Sequence, residues 1–149
     1  MIVWLTRPLV ELLHDRQIAE HGGSAGLSDE GLLESALARA QQLHHCAEPT
    51  PDLADLAASL AYGLAKNHAF VDGNKRSAIV ACETFIEING ATLDASDVEL
   101  YPVILGLAEG GLSEADLVAW LRPRLRLRRS GESVQEARPR YRAPRRSEV

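Results

Sequence analysis

Residues 68–77 read HAFVDGNKRS, and an apolar, helix-like stretch lies on either side of them. Upstream, DLADLAASLAYGLAKN (52–67) has so many alanines and leucines that almost no polar face is left, which marks a central, buried helix. Downstream, KRSAIVACETFIEING (75–90) sets Ile79, Cys82 and Ile86 on one stripe, with Ala78 and Phe85 beside it. Asn89 and Gly90 then supply a helix stop. A link between two core helices has no packing reason to be this polar. Yet His68, Asp72, Gly73, Asn74 and the adjacent cations Lys75 and Arg76 fall within nine residues.

The rest of the chain reads outward from that centre. The upstream helix is expected to start with Thr50 as N-cap and Pro51 at its first helical position. Before it, Ser28 or Asp29 can cap EGLLESALARAQQL, where Leu33, Ala36, Leu37 and Ala40 keep the helical period. GGSAGLS (22–28) is a loop with three glycines. Ahead of it a helix is expected from Thr6 as N-cap, with Pro8 in its first turn, to about His21. IVWL (2–5) is either an edge strand or a packed N-terminus. Towards the C-terminus, Ser96 with Glu99 and Ser113 with Asp116 fit the capping-box pattern for two more helices. Pro102 should bend the first of these or delay its start, and the second is expected to run to about Leu127.

These readings give an all-α fold, a compact bundle of six helices spanning residues 1–128. Composition agrees, with 46% apolar residues but only 5% aromatic ones, a balance that leaves little material for strands. From about residue 129 the chain is rich in Arg, Pro and Ser, and too poor in apolar residues to offset its ordering entropy. Residues 129–149 are therefore read as a disordered basic tail. Residues 122–149 carry a net +7 and residues 1–121 a net −12. An acidic body is not the footprint of a nucleic-acid-binding domain, and the tail is read as solvated. Cys46 and Cys82 have no metal-finger spacing and are expected to be two buried free thiols of a reducing cytosol. No window approaches the ~20 apolar residues of a membrane span, and the first twenty residues lack a signal peptide's apolar core. A soluble, cytoplasmic protein is expected.

The polar link has its own chemistry. A helix start offers unpaired N–H groups and the positive end of the dipole, which suits an anion. Gly73 lets a ligand approach the backbone closely. Lys75 and Arg76 oppose the dipole and are poor choices for helix stability alone, so a phosphate between them explains their presence. Asp72 is a hard ligand suited to Mg²⁺ shared with phosphates. His68 is placed to take a proton from a hydroxyl, and Phe70 should point into the core and pin the loop. Together these are most of what phosphoryl transfer needs.

The string resembles the signature of the Fic family, HxFx(D/E)GN(G/K)R, and its death-on-curing (Doc) branch in particular, where lysine follows the asparagine. LLHDRQIAEHGGSAGLSDEGLLESALARAQ (12–41) is similar to the Doc N-terminal region, so the resemblance covers about residues 4–128. It implies a Fic-like bundle in which His68 is the general base on a target Thr or Ser hydroxyl and Asp72 holds Mg²⁺. Gly73, Asn74, Lys75 and Arg76 would bind the phosphates of ATP, with Lys66 as a further cation. It also implies a flap before the second helix, here Gly23, Ser24, Ala25, Gly26 and Leu27, that holds the target's backbone like an added strand.

Two positions depart from the adenylylating members of that family. Lys75 replaces a second glycine, and Ile79 stands where those enzymes have a second arginine that orients the triphosphate. The Doc-like outcome is a protein kinase-type transfer of the γ-phosphoryl group, with elongation factor Tu as the implied target. Adenylyl transfer, or an idle Fic fold acting as a binding module, are the alternatives. No Ser or Thr has Glu four residues later, so the family's self-inhibitory (S/T)xxxE(G/N) device is absent from the sequence. Restraint is then expected from a Phd-like antitoxin in trans, with any nucleic-acid contact made only through that partner. Among the other histidines, 44 and 45 are read as packing residues and His14 as buried and hydrogen-bonded. Trp4 and Trp120 are expected to pack.

Overall fold

The computed structural model describes residues 1–128. Six helices make up the body: α1 (Arg7–His21), α2 (Glu30–Cys46), α3 (Leu53–Asn67), α4 (Asn74–Ile88), α5 (Asp97–Glu109) and α6 (Glu114–Leu121). Two three-residue strands complete it, β1 (Ala91–Leu93) and β2 (Leu125–Leu127). They pair antiparallel with Thr92 opposite Arg126. The expected basic tail, 129–149, lies outside the described residues.

The low polarity of α3 places it at the centre. Ten of its fifteen residues are buried, and it packs against α2, α4, α5 and α6. Close approach to α2 depends on Gly63, where a Cβ would stand 3.0 Å from the Ala36 Cα. That space suits hydrogen alone. On the other flank α4 buries Ala78, Ile79, Cys82, Phe85 and Ile86, the two stripes read from its sequence. The polar link therefore joins the two best-buried of the described helices.

Several ends differ from expectation. The N-cap of α3 is Asp52, not Thr50, because Asp52 and Asp55 form a reciprocal capping box with both bonds at 2.9 Å. Pro51 consequently lies before the helix instead of in it. At α2, Asp29 is the cap of the two residues expected there. The capping boxes at Ser96 and Ser113 form as read. Pro102 sits inside α5 without delaying its start, and the carbonyl it orphans belongs to the exposed Val98. The last helix stops at Leu121 instead of continuing to Leu127. Pro123 has no N–H to donate to the Ala119 carbonyl, and a 3₁₀ turn, Arg122–Arg124, follows, after which the chain extends as β2.

The N-terminal IVWL is a packed segment, not a strand. Trp4 stacks on Phe85, and the Asn89 side chain accepts from the Val3 N–H and donates to its carbonyl, at 2.8 and 2.9 Å. Cys82 is buried, and burial pushes its thiol up to about 12, whereas Cys46 at the end of α2 is exposed. The expectation of two buried thiols fails at Cys46 because the last turn of α2 runs past the core.

Candidate active site

Between α3 and α4 the backbone is held at both ends. His68 ends α3 in the left-handed region (φ 51, ψ 49), the only non-glycine residue with positive φ among the described residues. That conformation costs an L-residue about 1–2 kcal/mol, and it turns an exposed imidazole out of the helix. Gly73 caps α4 at φ 74, also left-handed and with no side-chain cap bond. A Cβ there would meet Ile18 Cδ1 at 3.1 Å, so conformation and space both favour glycine.

Between these two turns the loop pairs with the segment ahead of α2. Leu27 and Phe70 form an antiparallel bridge. Ser28 N–H donates to the Ala69 carbonyl at 2.7 Å, and Val71 N–H donates to the Gly26 carbonyl at 3.0 Å. Because those bonds flank the bridge, the N–H and C=O of Leu27 and of Phe70 point away from each other. On the Phe70 side they meet Asn74, whose side chain accepts from the Phe70 N–H and donates to its carbonyl, both at 3.0 Å. The oxygen and one amide hydrogen of Asn74 are thus engaged within the protein, so its side chain braces the loop. Its backbone N–H, in the first turn of α4, is one of the donors without an intrahelical partner. On the Leu27 side the outward edge is unpaired among the described residues.

Asp72 is exposed and doubly held. Its Oδ2 accepts from the Ser24 N–H at 3.2 Å and its Oδ1 from the Gly73 N–H at 2.8 Å. The Ser24 N–H first, then that of Gly73, hold its carboxyl below the usual range, with the Arg76 charge adding to the effect. Both oxygens keep further acceptor capacity, so an ionised carboxylate is presented at the start of α4. Gly23 lies against it: a Cβ there would stand 2.7 Å from Asp72 Oδ2. Phe70 is buried, as read, and lies flat on the His14 ring with centroids 3.8 Å apart.

Lys75 is half-buried and Arg76 exposed, both in the first turn of α4. Arg76 opens onto a cleft of about 530 Å³ between the end of α1 and the starts of α4 and α5. Ile79, Val98 and Tyr101 give that cleft an apolar wall. Lys66 points elsewhere: its ammonium lies 3.8 Å from where a Gly110 Cβ would stand, at the C-terminal end of α5. Helix carbonyls there attract a cation. His68, Asp72 and Gly73 thus lie on one loop, Asn74, Lys75 and Arg76 in the helix turn that follows it, and Gly23, Ser24, Gly26 and Leu27 belong to the segment set against that loop. Ala25 is an exposed member of the same segment. Sequence reasoning did not find the wall formed by α5, which has no local signal near the motif. It expected His14 to be buried and hydrogen-bonded without identifying its partner.

Among the described residues no group of three or more His, Cys, Asp or Glu side chains could hold a metal ion by itself. A single carboxylate beside a helix start fits the other way of holding Mg²⁺, in which phosphate oxygens and water supply the remaining ligands. The same donor set, a few backbone N–H groups and two cations, fits the phosphates. Among the described residues no helix is long and apolar enough to cross a membrane.

Comparison with known proteins bears on the same loop. The model of the Fic/DOC family matches residues 4–86. A protein described as Toxin Doc, from Mycolicibacterium smegmatis, is 49% identical over 74 residues. That match covers 50% of this chain and 57% of the relative's length. A protein described as Protein kinase doc, from Escherichia phage P1, is 34% identical over 110 residues, covering 74% of this chain and 86% of the relative.

Proposed function

The chain belongs to the Fic/DOC family, and from that membership and the site's geometry we propose that it is the toxin of a toxin–antitoxin pair. Its reaction is transfer of the γ-phosphoryl group of ATP to a Thr or Ser hydroxyl of a translation factor, elongation factor Tu by resemblance. The observation that carries this reading is the start of α4. It has no side-chain cap, it carries Lys75 and Arg76, and the ionised Asp72 and the exposed His68 precede it in the same loop.

In this mechanism the first-turn N–H groups of α4, with Lys75 and Arg76, hold the phosphates. Asp72 would hold Mg²⁺, which when bound would neutralise charge on the transferring phosphoryl group. The outward N–H and C=O of Leu27 pair with the backbone of the target, as a strand is added to an edge. His68 takes the proton of the target hydroxyl as its oxygen attacks the γ-phosphorus. The bond from that phosphorus to the β,γ-bridging oxygen breaks, and ADP departs with the electron pair. Ile79, buried under the cleft, cannot supply the charge that a second arginine would give to an α-phosphate attack. Exposed Val98 and Tyr101 near Arg76 offer apolar surface for a folded antitoxin segment.

The test is a translation extract given the purified protein and ATP labelled at either the α- or the γ-phosphate. Label moving to protein only from the γ position supports the proposal. Label from the α position would establish adenylyl transfer, and none from either position would leave a binding module. In the same assay His68→Ala should lose transfer by about 10²–10⁴-fold while melting at the wild-type temperature.

A further inference from the structure

We propose that His14 is the positioning residue that sets the Asp72 carboxylate and the start of α4, through the single peptide unit that joins Asp72 to Gly73. The proposal rests on the function proposed above and names a residue that supports its site. His14 lies on α1 and is 1% exposed. Its Nε2 is 2.7 Å from the Asp72 carbonyl oxygen. A carbonyl only accepts, so Nε2 carries the hydrogen and donates it. Nδ1 is 3.9 Å from the exposed Asp15 carboxylate, beyond hydrogen-bond distance.

The peptide unit held this way has two ends. Its oxygen belongs to Asp72 and takes the His14 hydrogen. Its N–H belongs to Gly73 and donates to Asp72 Oδ1 at 2.8 Å. Rotating that peptide plane would break both bonds together, so fixing the oxygen fixes the direction of the carboxylate. The same imidazole stacks on Phe70 with rings 7° from parallel, and its Nε2 lies 3.6 Å from where a Cβ on Gly73 would stand. Ile18, one turn further along α1, lies under Gly73 and Gly23. A single buried ring therefore touches the loop at Phe70 and Asp72 and fills the space beside Gly73, and none of those neighbours is local in sequence. His14 does not reach substrate. It acts through Asp72.

Two substitutions separate the parts of that contact. His14→Phe keeps a flat ring on Phe70 and removes the donor. His14→Gln loses the stack but returns an N–H near the position of Nε2. Binding of a non-hydrolysable ATP analogue is measured by calorimetry over a range of Mg²⁺ concentrations, with melting temperature followed alongside. His14→Phe should melt close to wild type yet need about 10- to 100-fold more Mg²⁺ for the same binding. His14→Gln should recover most of that loss. Equal Mg²⁺ dependence of wild type and His14→Phe would overturn the proposal, as would a loss in His14→Gln as large as in His14→Phe. Should His14→Phe fail to fold, imidazole ¹⁵N spectra of the wild-type chain decide. A hydrogen on Nε2 supports the proposal, and an Nε2 without one refutes it. That spectrum needs neither nucleotide nor turnover, so a wild type that transfers no phosphate would defeat the proposed function without touching this result.

Discussion

The start of α4 and the starts of α3, α5 and α6 solve the same physical problem in opposite ways. Asp52, Ser96 and Ser113 each cap a helix with a reciprocal box, and acidic residues fill the first turns. That arrangement pairs orphan N–H groups and suits the positive end of the dipole. At α4 the cap is a left-handed glycine with no side-chain bond, and the first turn carries Lys75 and Arg76. Helix α1 also lacks a first-turn acid and starts with Arg7, but Thr6 caps it; among the described α-helices, α4 alone has neither a side-chain cap nor an acid in its first turn. The difference teaches that the unpaired donors of α4 are kept for a ligand, and that the well-capped helices around it supply the stability it forgoes.

Reversing the charge at α4 should break the comparison most strongly. Lys75→Glu restores dipole-compatible charge and should leave stability unchanged or raise it by about 0.3–1 kcal/mol. It should also cut phosphoryl transfer by about 10²-fold or more, as loss of one transition-state contact does. Urea denaturation and the label assay on the same preparation check both halves. Gly23→Ala comes next. Its Cβ would press on Asp72 Oδ2 from a backbone at φ 115, displacing the carboxylate. Transfer should fall about 10- to 100-fold, with the Mg²⁺ requirement raised.

Ser113→Ala tests the other side. It removes the acceptor for the Asp116 N–H and should cost about 1 kcal/mol in denaturation while nucleotide binding stays at the wild-type level. The smallest effect expected is at Asp52. The Arg122 guanidinium beside it holds its carboxyl at about 2, below the ordinary 3.8. A carboxylate with a depressed folded value adds stability above about pH 4 and loses it as the pH falls towards 2. Both side chains are 51% exposed, so solvent screening keeps the contribution below about 1 kcal/mol. The gap between wild type and Asp52→Asn, followed by urea denaturation, should be present at pH 6 and close by pH 2.

What could be read from the sequence follows the range of each interaction. The boxes at Ser96 and Ser113 lie within four residues, and so does most of the loop chemistry from His68 to Arg76. Both were legible. The cap of α3 was read as Thr50 from the Pro51 that follows it, whereas the carboxylates of Asp52 and Asp55 form a box two residues later. The end of α6 was misread because Leu125 and Leu127 continue an apolar pattern that suits a helix or a strand, while Pro123 and pairing with β1 choose the strand. Exposure of Cys46 depends on where α2 outruns the core, which no local pattern records. The bond from His14 to Asp72 spans 58 residues and the bridge from Leu27 to Phe70 spans loop to loop. Such pairs are set by packing of α1 and α2 on the central helices, and a single sequence does not display them.

The central claim is that the open start of α4 holds phosphates and the boxed starts do not. Backbone amide resonances followed through a titration with Mg²⁺ and a non-hydrolysable ATP analogue test it directly. Asn74, Lys75 and Arg76 should shift first and furthest, with Glu99 at the start of α5 and Asp116 at the start of α6 unmoved. Shifts confined to those boxed starts, or no shift at α4 at saturating nucleotide, would contradict it.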